Sequence, residues 1–157
     1  MLKEKIGYRF QNPVLFRKAL THSSYANEQR VRHLQNNERL EFLGDSVLGF
    51  ITADYLYNHF PELPEGELTK LRAAIVCEQA LYEVAKELGI DKEIRLGKGE
   101  ESGGGRQRPS ILADAVEALL GAIYLDGGID PARKFVLSFI PRKAERARQG
   151  RMFKDYK

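Results

Sequence analysis

Three carboxylates, Glu38, Glu41 and Asp45, stand at i, i+3 and i+7 within residues 37–50, and this spacing constrains the chain more than any bulk property. At about 100° per residue, a helix stacks them within an arc of roughly 60°. Leu40, Leu43, Val47, Phe50 and Ile51 fall on the opposite side and read as the core face. Phe42 fits neither group, because it projects beside the acids. Like charges one and two turns apart weaken a helix. Something cationic is therefore expected against them, either a metal ion or a basic partner.

A second stretch, residues 110–124, answers the first. It is strongly helix-forming and carries Asp114 and Glu117 at i and i+3. Leu112, Val116, Leu119 and Ile123 form its expected core face, while Ala118 and Gly121 are small enough for another helix to approach closely. Two such helices bring four or five carboxylates together, an oxygen-rich set suited to Mg2+ or Mn2+. The bland alternative is that these acids pair with arginines such as Arg39 and Arg72 on the surface.

The remaining pattern bounds the class. With 157 residues, 43% hydrophobic and 30% charged, the chain reads as one globular, soluble domain with a proper core. No apolar run approaches the roughly 18 residues needed to span a bilayer, and the charged amino terminus lacks a signal-peptide core. One cysteine, Cys77, excludes an internal disulfide, so a cytoplasmic location and no membrane partner are expected. The net charge of +3 is uneven: residues 142–157 carry seven basic and two acidic side chains, leaving −2 for residues 1–141. That tail is either a solvated terminal helix or a polyanion-binding surface.

In chain order, residues 1–20 read as a short helix, a turn and a second helix, started by Asn12 and Pro13, with Leu15, Phe16 and Leu20 inward. His22, His33 and His59 are too scattered for a zinc site, and His22 is read as a buried or capping residue. Residues 27–36 read as a loop. The acidic helix is expected over about 37–58, ending before Pro61. One helix is expected over about 67–88, with Leu68, Leu71, Ile75, Leu81 and Val84 inward and Gly89 at its end. A short element follows at 90–96. Residues 97–109, glycine-rich and basic, read as a mobile loop, either a tolerant linker or a segment that orders on RNA; they lack the spacing of a phosphate-binding P-loop. A last helix is expected from about Asp130, with Phe135, Val136, Phe139 and Ile140 inward and Pro141 as a kink or break. No alternating strand pattern and no repeat occurs, so the fold class is all-α.

Four motifs now read together. Residues 38–48, ERLEFLGDSVL, resemble the signature helix of the bacterial ribonuclease III endonuclease domain. Residues 21–28 (THSSYANE), 64–72 (PEGELTKLR) and 110–124 resemble the same family in the same order, and the resemblance covers about residues 2–148. It implies metal-dependent endonucleolytic hydrolysis of double-stranded RNA in the processing of rRNA, mRNA and small-RNA precursors, leaving 5′-phosphate and 3′-hydroxyl ends with a short 3′ overhang. It implies Glu41, Asp114 and Glu117 as metal ligands with Asp45 as the fourth member of the cluster, Asp45 and Glu117 as the catalytic pair, and Mg2+ as cofactor, with Mn2+ able to substitute. Glu38 and Glu65 are implied RNA contacts. Phe42 is an implied dimer contact, inserted into a second copy so that the two-fold dimer forms through the signature helix.

The resemblance also implies an endonuclease domain over residues 1–148. Residues 149–157 then form a basic linker toward a double-stranded-RNA-binding domain that this chain lacks, so the chain reads as a piece of a longer protein. Two other classes stay open: a non-cleaving RNA-binding scaffold, expected if cluster acids were missing, and an all-α nucleotide pyrophosphatase, which also pairs acidic helices around magnesium. A di-iron bundle is disfavoured because it needs Glu-x-x-His pairs.

Overall fold

The computed structural model describes residues 2–29 and 35–155, with backbone alone for 151–155. The chain opens with α1 (Leu2–Lys5) and α2 (Pro13–Ala19). As expected, Asn12 caps α2: its side-chain oxygen accepts from the Val14 N–H at 3.0 Å, with Pro13 in the first turn. Helix α3 (Ser23–Gln29) then occupies residues assigned in part to a loop. His22 starts it, since Nδ1 accepts from the Ser24 N–H at 3.1 Å, so the capping role holds. His33 and most of the expected loop lie outside the described residues.

Helix α4 (Glu38–His59) carries the first acidic stripe, and its end before Pro61 matches expectation. Beyond it, the expected single helix is two, α5 (Glu65–Ile75) and α6 (Glu78–Leu88), because Cys77 is extended at φ −68° and ψ 166°. Ile75 and Leu81, both inward, are six residues apart; on one continuous helix that step would rotate the apolar stripe by about 120°. Breaking the helix lets both faces point inward. Gly89 ends α6 in the left-handed region at φ +81°.

Helix α7 (Ile90–Glu93), α8 (Lys98–Ser102) and a 3₁₀ turn (Gly105–Gln107) follow. Residues 97–109 are thus largely ordered, contrary to the mobile-loop reading, because their charges are used internally. Arg106 donates to the carbonyls of Asp91 and Ile94, both at 2.9 Å, and pairs with Glu101 at 2.8 Å. Arg108 pairs with Glu100 at 2.6 Å.

Helix α9 (Pro109–Gly127) is the axis of the molecule: from Ile111 to Ile123 every residue except Asp114 is buried. A helix apolar nearly all round has nowhere to go but the core. Helices α4 and α6 pack against it most extensively, and α2, α7 and α10 also contact it. At its end Asp126 accepts from the Tyr8 hydroxyl at 2.6 Å and from the Gln11 and Asn12 N–H groups at 2.8 and 2.9 Å, tying the amino-terminal segment down. The last segment splits at Ser138 and Phe139 into α10 (Ile129–Leu137) and α11 (Ile140–Asp155), with Pro141 in the first turn of α11. Basic residues of α11 pair with body acids: Arg142 with Glu87, Lys143 with Glu83 and Arg148 with Glu62. The side chains of Arg151, Lys154 and Lys157 lie outside the described residues.

Among the described residues there is no strand, only an isolated parallel bridge between Thr21 and Arg95. The fold is all-α.

Candidate metal centre

The site begins with two glycines. Helices α4 and α9 cross where Gly44 faces the Glu117 carbonyl and Gly121 faces that of Leu40. A Cβ on Gly44 would lie 1.7 Å from the Glu117 oxygen, and one on Gly121 would lie 2.4 Å from the Leu40 oxygen. Backbones this close carry the residues beside the glycines into contact. Glu41, one turn before Gly44, meets Asp114 and Glu117, and one carboxylate oxygen from each lies within 4.8 Å of the others.

The three acids differ in depth. Glu117 is buried, Glu41 half-buried and Asp114 exposed at the rim. Burial pushes the Glu117 carboxyl up to about 9, helped by a hydrogen bond with Asp45 and by the charges of Asp45, Glu41 and Asp114. Glu41 is raised by burial and then by the charge of Asp114, with smaller contributions from Asp45 and Glu38, against a hydrogen bond from Glu117 that favours its charged form. Asp114 is raised by partial withdrawal from water and by Glu78, while His22 pulls it down. Asp45 stands one turn beyond Glu41, exposed, and joins through its hydrogen bond with Glu117.

The two-wall arrangement expected from spacing is therefore present: Glu41 and Asp45 on α4, Asp114 and Glu117 on α9. The bland alternative is not. Among the described residues, the ion pairs of lysine and arginine all go to other acids. A buried carboxyl among carboxyls without a cation fits a divalent ion, since hard oxygen donors in such a group suit Mg2+ or Mn2+.

Glu38 lies exposed on the first turn of α4, close enough for its charge to act on Glu41. Glu65 lies exposed at the start of α5 and is not one of the clustered acids. Glu78 and His22 border Asp114 and were missed by sequence reasoning, because nothing in their spacing links them to α9.

Beside the acids runs an apolar stripe. Phe42, Phe50 and Tyr57 are 76%, 59% and 73% exposed, and they fall within about 80° of one another on the helix. Phe50, expected in the core, is thus on the surface, because the buried face of α4 centres on Leu40, Gly44, Val47 and Ile51. Leu125, 54% exposed, joins Phe42 and Leu43 around a groove of about 730 Å³ whose rim carries Lys18, Glu38 and Arg39.

A ribonuclease-III-like family model matches residues 12–144. Ribonuclease 3 of Desulforamulus reducens is 52% identical over 99% of this chain, which covers 63% of that protein. Ribonuclease 3 of Listeria innocua is 54% identical over 86% of this chain and 59% of its own length. This chain thus spans about three fifths of the curated relatives it matches. A solved nuclease domain of ribonuclease III from Campylobacter jejuni, described for flexibility in a region involved in dimer formation, superposes with a TM-score of 0.83 at 40% identity, over 90% of this chain and 95% of that one. The fold, the motifs in order and the paired acidic helices agree: this chain belongs to the ribonuclease-III-like family.

Proposed function

We propose that this chain is the catalytic part of a metal-dependent endoribonuclease that cuts double-stranded RNA as a homodimer. The observation that carries this reading is the meeting of Glu41, Asp114 and Glu117 within 4.8 Å, with no lysine or arginine paired to them among the described residues.

In this reading Glu41, Asp114 and Glu117 hold Mg2+, which Mn2+ can replace, and Asp45 with Glu117 forms the catalytic pair. When bound, divalent ions neutralise phosphate charge, acidify water and stabilise the leaving oxygen. The protein's own part is to orient. The glycine crossing fixes the distance between the two acidic walls. Before an ion binds, Asp45 holds the protonated Glu117 carboxyl through their hydrogen bond. Asp114 and Asp45, both exposed, leave one side of the cluster open to a phosphodiester. Glu38 and Glu65 contact the RNA, whose duplex form is read through shape, phosphates and 2′-hydroxyls.

Phe42 supplies the dimer contact. An exposed aromatic stripe of this kind marks an interface, and a two-fold axis through it sets two sites against one duplex, one for each strand. The products then carry 5′-phosphate and 3′-hydroxyl ends with a short 3′ overhang, in the maturation of rRNA, mRNA and small-RNA precursors. Residues 1–148 form the endonuclease unit, and residues 149–157 serve as a basic linker toward an RNA-binding domain. A cytoplasmic location belongs to the same reading.

The test is cleavage of a labelled RNA duplex at low salt, with Mg2+ or with EDTA, beside Glu117→Gln. Magnesium-dependent cuts on both strands are expected, reduced about 100-fold or more in the variant. Duplex binding without cleavage by the unaltered protein would replace this reading with an RNA-binding scaffold. Hydrolysis of nucleoside triphosphates in place of duplex RNA would replace it with a pyrophosphatase.

A further inference from the structure

Asn37 stands immediately before α4, where an asparagine is expected to cap the helix with its side chain. It does not do so. Asn36 supplies that cap, its Oδ1 accepting from the Glu38 N–H at 2.9 Å. The Asn37 side chain instead turns inward, only 4% of the residue being exposed, and its Nδ2 donates to the Ala19 carbonyl at 3.1 Å. Its main-chain N–H donates to the Thr21 carbonyl at 2.9 Å, and its own carbonyl accepts from the Glu41 N–H at 2.8 Å. One buried residue thus joins the first turn of α4 to the α2–α3 junction.

The junction it holds is itself rigid. Thr21 is fully buried, and Arg95 donates to its Oγ1 from Nε at 3.1 Å. The Arg95 backbone exchanges bonds with the Leu20 carbonyl and the His22 N–H at 2.8 and 3.1 Å. His22, next in the chain, is the residue whose charge acts on Asp114.

Glu41 needs such an anchor. It lies at the end of the first helical turn, where helices fray, and its N–H depends on the Asn37 carbonyl at 2.8 Å. The glycine crossing holds this turn from the α9 side, where Gly121 meets the Leu40 carbonyl, and Asn37 holds it from the α2–α3 side. A slip of one residue would rotate Glu41 by about 100° and shift it about 1.5 Å along the axis, out of the three-carboxylate group.

From this geometry we infer that Asn37 is a positioning residue that holds Glu41 in register with Asp114 and Glu117. The inference rests on the proposed reading of those acids as metal ligands. It acts before any RNA arrives, so its effect is on the affinity of the unloaded protein for a divalent ion.

The experiment is calorimetric titration of the full chain with Mn2+ alone, on Asn37→Asp, Asn37→Ser and Leu56→Ala. Asn37→Asp keeps the shape and removes the donor to Ala19. Asn37→Ser removes the same bond without adding a charge, and so serves if the first variant fails to fold. Leu56→Ala removes a buried side chain near the far end of α4 and controls for lost stability. Mn2+ affinity is expected to fall about ten-fold or more in the Asn37 variants and to stay near the unaltered value in Leu56→Ala. Unchanged affinity in a folded Asn37 variant, or an equal fall in Leu56→Ala, overturns the inference. An unaltered protein that takes up no Mn2+ contradicts the metal reading itself.

Discussion

Glu117 is the residue on which fold and chemistry pull hardest against each other. Its folded-state value of about 9 lies far above the ordinary carboxylate value of 4.5. The folded protein therefore binds a proton that the unfolded chain gives up. That contribution to stability is full below about 4.5 and is lost as pH rises toward 9. Without metal, the melting temperature should fall across this window, and saturating Mg2+ should remove most of the fall, because the ion replaces the proton. Glu117→Gln should flatten the metal-free profile and melt above the unaltered protein near pH 8. Melting curves across pH, with and without Mg2+, check both; a flat unaltered profile contradicts the account. At Gly44, alanine would drive a methyl into the Glu117 carbonyl, destabilising by about 1–3 kcal/mol or more and parting the acids that the crossing brings together. The clustered acids were legible in the sequence because helical spacing fixes their face. Glu78 and His22 were not, because α6 and the α2–α3 junction reach Asp114 only through tertiary packing, and Asn37 was legible as a helix start but not as an inward hook.

At the scale of elements, α4 and α9 follow from their patterns, while the two misread segments each have a physical cause. The break between α5 and α6 was written in the six-residue step from Ile75 to Leu81, a phase change that a single helix cannot absorb. Residues 97–109 look flexible by composition, yet Arg106 satisfies two carbonyls and one carboxylate there. Arg106→Ala should loosen this segment at a cost of about 1–3 kcal/mol, read as faster amide exchange over residues 97–108 with α9 unchanged. The tie between Tyr8 and Asp126 gives a second prediction. The Tyr8 hydroxyl is pushed up to about 12, by burial first and then by its bond to Asp126 and the charge of that carboxylate. Its contribution is present below pH 10 and lost as pH rises from 10 to 12. Tyr8→Phe should destabilise by about 1 kcal/mol, with the difference from the unaltered protein closing in that range.

For the whole molecule, α4 presents three faces to three different surroundings. Its buried face packs on α9, its acidic face meets Asp114 and Glu117, and the adjacent face presents Phe42, Phe50 and Tyr57 to solvent. In the proposed reading, an acidic site next to an apolar face lets one contact both dimerise the protein and align two sites. Phe42→Ala should weaken self-association by about 2 kcal/mol or more, read as a shift toward monomer in sedimentation, with loss of paired-strand cutting. The sequence marked Phe42 as unlike its core neighbours. It hid Phe50, which lies at the edge of the arc that becomes the core. The proposed chemistry requires the carboxylates of α4 and α9 to share an ion. Anomalous scattering from crystals grown with Mn2+ tests this most directly. A manganese peak bounded by Glu41, Asp114 and Glu117 is the predicted result, and a fully ordered cluster with no peak, or with a lysine or arginine turned into it, would contradict the account.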